Sequence, residues 1–334
     1  MRAITALITV LLLAGCGSGS VVESSTPTPD YPVVLQNCGA DVTFDRPPRR
    51  VVSLYQASTE ILLSLGLADR MVGTSTWFDP VLPELADANA RVPRLADNDP
   101  ALETVLATEP DLIVSASAHT FTPAVVGDRA RLADLGVAGY LSPSVCAGAQ
   151  VSGETVTRSE PLRFATLFGE IAELAAIFGV PERGTALIDG LRRRLEAAHV
   201  TAVEGTTVAY WFSGLRTPYM AGCCSAPGLY SEYLGLTNVF ADIAEDWPEV
   251  DWETVAARDP DILVLADLSR RRVDGDDLDS KRRFLQSHPV TRNMTAVRNE
   301  HFVVLAGSEL DPGIRQVDAV EKLAAALESY GLAQ

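Results

Sequence analysis

The sequence predicts an α/β protein built from parallel sheets, arranged as two similar lobes with a cleft between them. Three observations carry this. The phrase Glu103-Thr104-Val105-x-Ala107-x-x-Pro110-Asp111-x-x-Val114-x-Ala116 recurs as Glu253-Thr254-Val255-x-Ala257-x-x-Pro260-Asp261-x-x-Val264-x-Ala266. Each copy is a short helix running through Pro-Asp into a buried apolar strand, half of a parallel crossover unit. A second echo pairs Ser64-Leu65-Gly66-Leu67 with Tyr233-Leu234-Gly235-Leu236, both ending helices on Gly and leading into apolar stretches. Strand-like and helix-like segments alternate on both sides of the middle of the chain, the pattern of parallel sheets.

The start of the chain says where those lobes sit. Arg2 supplies a positive charge, and residues 4–13 form an apolar run too short to span a bilayer. Leu13-Ala14-Gly15-Cys16 follows and resembles a bacterial lipobox, in which the Cys becomes the lipidated first residue. Residues 17–29 are rich in Gly, Ser, Thr and Pro, a composition suited to a tether and unable to bury a core. The expectation is a signal peptide over 1–15, a tether over 16–32, and a mature chain outside the cytoplasm. Lipid on Cys16 would hold it to the cytoplasmic membrane of a bacterium, since a diacylated Cys buries enough methylenes for stable anchoring.

The first lobe is expected over residues 33–160. Residues 49–54, after Pro47-Pro48, read as a buried strand; Ser58-Thr59-Glu60 caps a helix over 61–65 that ends at Gly66. A strand follows over 70–73, a helix over 102–108, a strand over 112–115, a helix over 123–135 closed by Gly136, and a strand over 138–141. Residues 142–160 are polar and read as irregular. A connecting helix is expected over 161–180, where Phe164, Leu167, Phe168, Ile171, Leu174, Ala175 and Phe178 keep a 3.6-residue period. Such a helix between two α/β runs reads as a stiff connector. Gly179 and Pro181 punctuate it, a second helix runs through Leu187, Leu191 and Leu195, and the strand–helix alternation resumes at 207–211. The second lobe takes 181–334.

The net charge of −17 and pI near 4.6 argue against nucleic acid as a partner. With Cys16 set aside, Cys38, Cys146, Cys223 and Cys224 allow three pairings in an oxidising compartment. Cys38–Cys146 within the first lobe, with Cys223–Cys224 as a vicinal pair, is favoured; bridges between lobes would staple them. Two free neighbouring thiols stay open as an alternative. His119, His199, His288 and His301 show no ligand spacing near the cysteines, so neither a metal site nor a resident cofactor is called for.

The lipobox, Pro47-Pro48-Arg49-Arg50-Val51-Val52-Ser53-Leu54, Thr59-Glu60, Leu65-Gly66-Leu67 and both Pro-Asp phrases together resemble the helical-backbone substrate-binding proteins. These are receptors of ABC importers for iron–siderophores, haem and cobalamin. The resemblance implies two Rossmann-like lobes joined by one long backbone helix, a ligand in the cleft, small closure, and an ABC permease with its ATPase as partners. A monomer is expected. It further implies that one surface glutamate on each lobe docks on the permease, and Glu103 and Glu253 hold the matching positions. A plainer role for each is to favour its helix N-terminus through the dipole.

In parallel α/β sheets ligands sit beyond the carboxyl ends of the strands. Those ends give Tyr55, Gln56, Trp77, Phe78, Ser117, His119 and Phe121 in the first lobe. The second offers Trp211, Arg216, Tyr219, Trp247, Asp267, Arg270, Glu309 and Arg315. Aromatics with a few charges suit a bulky, partly polar ligand, with Trp77 and Trp247 stacking and Arg216 neutralising ligand oxygens. A ferric siderophore is the first expectation; cobalamin-like or deazaflavin cargo follows, the latter because Thr217-Pro218-Tyr219 resembles a branch importing deazaflavin precursors. Packing or solvated loops would account for any one of these residues. An enzyme is not expected: a lipid-anchored hydrolase needs Gly-x-Ser-x-Gly after a strand, and Gly15-Cys16-Gly17-Ser18-Gly19 only mimics it within the tether. A surface binding protein acting without a transporter is the remaining alternative class.

Overall fold

The structure is a computed structural model and describes residues 31–152, 155–268 and 275–334. The signal segment, the tether to residue 30 with its Cys16, and Arg270 lie outside those residues. The first half runs β1 (Val33–Asn37), β2 (Ala40–Phe44), β3 (Val51–Ser53), α1 (Gln56–Ser64), β4 (Met71–Thr74), α2 (Ala86–Asn89), α3 (Leu102–Leu106), β5 (Leu112–Ser115), α4 (Arg129–Asp134), β6 (Ala138–Leu141), α5 (Pro143–Cys146), β7 (Ala149–Ser152) and β8 (Thr155–Arg158). Then come α6 (Phe164–Ile177) and α7 (Pro181–Ala197). The second half runs β9 (Thr207–Ser213), β10 (Tyr219–Met220), α8 (Ala226–Leu234), β11 (Thr237–Asn238), α9 (Trp252–Arg258), β12 (Ile262–Asp267), α10 (Leu278–Ser287), α11 (Thr295–Arg298), β13 (Phe302–Ala306) and α12 (Gln316–Ser329).

Each lobe carries a parallel sheet, and the two sheets have the same strand order. In the first it is β4-β3-β5-β6, with Val51 opposite both Met71 and Leu112. In the second β11, β9, β12 and β13 repeat it, and β10 adds an antiparallel edge to β9. The duplicated phrase supplies α3 with β5 and α9 with β12. Its aspartate does the same work twice. Asp111 accepts hydrogen bonds from the backbone N–H groups of Arg49 (2.8 Å) and Arg50 (2.9 Å), and Asp261 from that of Thr207 (2.8 Å), so each carboxylate ties down the start of the neighbouring strand.

The strands are apolar on both faces, as buried parallel strands are. Val51, Leu112 and Val114, with Val208, Tyr210 and Val264, face one central cluster that also takes in α1, α6, α7, α8 and α12. The alternate residues, Val52 and Ile113 in one lobe and Ala209, Trp211, Leu263 and Leu265 in the other, lie under outer helices. Between the lobes, Arg315 Nε donates to Glu60 Oε2 at 2.8 Å and the backbone N–H of Ser308 to Asp79 at 2.8 Å, both in buried surroundings.

Three expectations about elements need correction. The first helix starts at Gln56, five residues before the expected position, because Tyr55 leaves the strand with φ −165° and the Ser58-Thr59-Glu60 run turns inward. Thr59 Oγ1 spends its bonds on Ser53 and the Tyr55 carbonyl instead of capping a later turn. The helix expected over 123–135 is confined to α4, since Gly127 sits at φ +86° and Asp128 is the N-cap, accepting from Arg131 N–H. In the stretch expected to be irregular, the described residues form α5 and the antiparallel pair β7–β8. The connector is α6, turning at Gly179 (φ +69°) into α7, which packs back on it. A Cβ at Gly184 would lie 2.5 Å from that of Ala175, so the close approach of the two helices requires glycine there.

Candidate functional site

A cleft of about 340 Å³ opens between the lobes at the carboxyl ends of the strands. Tyr55 reaches it from the end of β3. Its hydroxyl donates to Asp311 of the other lobe at 3.0 Å, and its ring rests on Phe78 with centroids 5.1 Å apart. Ser117 and His119 enter after β5, His119 standing 3.5 Å from Asp99. From the second lobe come Ser225 at the head of α8, the segment Glu245-Asp246-Trp247, and Asp311. Trp247 is half-buried and leans on Phe212, centroids 5.0 Å apart.

The electrostatics of this cleft are mainly acidic. Burial pushes the Asp311 carboxyl up to about 6; the Tyr55 hydrogen bond opposes that and the charge of Asp79 adds to it. Arg158 is the cation of the lining, and its charge is already committed. Its Nε lies 3.0 Å from both oxygens of Asp246, and its Nη1 donates to the Ala147 carbonyl at 3.0 Å. Burial raises the Asp246 carboxyl while this pairing lowers it, and the net direction is upward. Ser225 lines the cleft, and its buried hydroxyl has no partner among the described residues.

The β7–β8 pair builds one wall. Val151, Val156 and Arg158 line the cleft from it. The wall then docks on the second lobe, with Arg158 N–H donating to Ala244 O (2.9 Å) and Asp246 N–H to Val156 O (2.8 Å). At its base Cys38 is bonded to Cys146, Cα atoms 5.6 Å apart. Cys223 is bonded to Cys224, just ahead of Ser225, so each bridge stays within its own lobe.

Of the residues expected at the ligand, Tyr55, Ser117, His119 and Trp247 line the cleft, and Tyr219 lies at its mouth beside Trp247. Gln56 is buried beneath it. Its side-chain oxygen accepts from Phe78 N–H (2.8 Å) and Asp79 N–H (2.9 Å), which positions the Phe78 turn. Phe78 and Arg315 line a small inner cavity below Tyr55, and Arg315 is committed to Glu60.

Several expected residues stand elsewhere. Trp77 is 3% exposed, its indole N–H directed to Thr74 Oγ1 at 3.3 Å inside the first lobe. Trp211 is fully buried on the outer sheet face, edge-on to Trp252 at 4.7 Å. Arg216 is exposed on a turn outside the cleft lining. Asp267 ends β12 beside the buried Lys281, whose ammonium bonds the carbonyl of Ala266 and which burial pushes down to about 8. Glu309 pairs with Lys322 at 2.7 Å on the far side. Glu103 and Glu253 are both exposed in the first turns of α3 and α9.

Arg158, Ser225, Glu245 and Asp311 escaped the sequence reading. The signal for the wall was present, in the alternation Gln150-Val151-Ser152 and Thr155-Val156-Thr157 around Gly153. No local pattern marks Asp311. It matters only because Tyr55, distant in sequence, reaches it.

The model of the family described as "Periplasmic binding protein" matches residues 51–308. A Bacillus subtilis protein named an uncharacterized ABC transporter substrate-binding lipoprotein, YvrC, is 23% identical over 271 residues, 78% of each chain. A vitamin B12-binding protein of Vibrio campbellii is 26% identical over 68% of this chain and 74% of its own. Among solved structures, a periplasmic binding protein from Veillonella parvula superposes with TM-score 0.76 at 26% identity, covering 89% of this chain and 97% of that one. A protein of an Fe3+-hydroxamate transport system from Saccharomonospora viridis gives TM-score 0.71 at 26% identity, covering 89% and 99%. The chain belongs to the periplasmic binding protein family, whose members are non-enzymatic components of transport.

Proposed function

We propose that this periplasmic binding protein is the lipid-anchored, extracytoplasmic receptor of an ABC importer and captures a ferric siderophore-type chelate for delivery to the permease. The observation that carries the reading is the inter-lobe cleft, where Tyr55 of one lobe and Trp247 of the other face the same space at the strand ends. The aromatic faces offer apolar burial, and Ser225, Ser117 and the Tyr55–Asp311 pair offer polar contacts that would orient the ligand. The Saccharomonospora viridis neighbour, titled for Fe3+-hydroxamate transport, supports this cargo. Membrane attachment rests on Leu13-Ala14-Gly15-Cys16; among the described residues no helix is long and apolar enough to cross a membrane. Docking on the permease rests on the equivalent exposure of Glu103 and Glu253.

A second reading, cobalamin-like cargo, is favoured by the Vibrio relative named for vitamin B12. One experiment decides between them: tryptophan quenching against a panel of ferric siderophores, cobalamin, haem and deazaflavins, repeated with Trp247→Phe. Saturable quenching by a ferric chelate, weakened in the variant, is expected. Quenching by cobalamin or a deazaflavin alone would keep the receptor and replace its cargo.

A further inference from the structure

Beyond the central cleft a second hollow opens at its mouth. Phe212, Tyr219 and Trp247 line it, rimmed by the carboxylates of Glu245 and Glu249, and Glu245 and Trp247 belong to both spaces. Trp247 is half-buried there, with part of its ring toward the hollow. Glu249 accepts a hydrogen bond from the Tyr219 hydroxyl, which fixes the ring beside it. The half-buried Glu245 has no partner for its carboxylate among the described residues. The cation nearest in the lining, Arg158, is held by Asp246 and Ala147 and does not neutralise it. Arg216, on the turn before β10, does not line the hollow.

Ring faces and an unpaired carboxylate attract the same chemical group. An organic cation gains from the ring quadrupoles and from the negative charge together, and an anion loses on both. We propose that this mouth is a subsite for an organic ammonium group, carried on the arm of the ligand that fills the cleft. The subsite rests on the receptor reading for its physiological ligand, but its chemistry can be measured with probes that presuppose no chelate. Glu245 would be its discriminating residue, with Trp247 supplying the ring face.

The test uses two probes of similar shape and opposite charge, phenethylammonium and 3-phenylpropionate. Protein labelled with 15N in its four tryptophans gives four indole signals, and Trp247→Phe identifies that of Trp247. Phenethylammonium is expected to shift the Trp247 signal with an affinity about tenfold above that of phenylpropionate. In Glu245→Gln this preference should fall to about threefold or less. Equal or tighter binding of the carboxylate, no movement of Trp247 with either probe, or an unchanged preference in Glu245→Gln would each overturn the subsite. A failure here leaves the chelate panel standing. A failed panel with a positive result here keeps the subsite and makes the cargo some other ammonium-bearing molecule.

Discussion

The Arg158 guanidinium and the Asp246 carboxylate form a buried ion pair that joins the β7–β8 wall of one lobe to the Glu245-Asp246-Trp247 segment of the other. The side chains are 4% and 12% exposed, so water does little to screen them. The pair stands between two residues of the lining, and whatever holds it holds the shape of the cleft.

Arg158→Met should therefore cost about 3–5 kcal/mol, because it strands a buried carboxylate. Adding Asp246→Leu should recover most of that loss. Urea unfolding of the single and double variants measures both. A single-variant cost below about 1 kcal/mol would mean that the wall is held by its backbone bonds alone.

Reversing Glu103 and Glu253 together to Arg should abolish ligand uptake and stimulation of the ATPase in reconstituted transporter. Ligand affinity of the free protein should stay within about twofold, since both residues are exposed on helix starts far from the cleft lining. Undiminished transport would leave them as carboxylates that merely favour their helix ends.

Mass spectrometry of the membrane-extracted protein should find acyl chains on Cys16 and no free thiol among Cys38, Cys146, Cys223 and Cys224. Cys16→Ala should move the protein to the soluble fraction. A bridge from Cys38 to Cys223 or Cys224 would contradict the within-lobe bonding.

Glu170 gives stability a pH dependence. It lies buried on α6, one oxygen accepting from Ser142 at 2.6 Å and the other without a partner among the described residues. Burial pushes its carboxyl up to about 7, with Glu173 adding and Ser142 opposing. A carboxyl raised on folding contributes stability that is present below its ordinary range and lost as pH rises through about 7. Wild type should lose about 2 kcal/mol through this group between pH 5 and 8, and Glu170→Gln should remove that slope. Asp311 is raised in the same direction and stays in both proteins, so the difference isolates Glu170. Equal slopes would show that Glu170 is already paired and ionised.

By itself the sequence determined the duplicated α/β units. Pro-Asp after a short helix and before an apolar run is a local pattern, and local backbone preference is enough to make α3–β5 and α9–β12. Asp111 and Asp261 close both copies alike. Tertiary structure alone decided which aromatic meets the cleft. Trp211 and Tyr210 are neighbours on one strand that alternates faces, and only the position of the outer helices tells which face is which. It also decided the polar part of the site. Asp311 meets Tyr55, and Arg158 meets Asp246, across long stretches of chain, and a buried charge finds its partner through packing that no local pattern encodes.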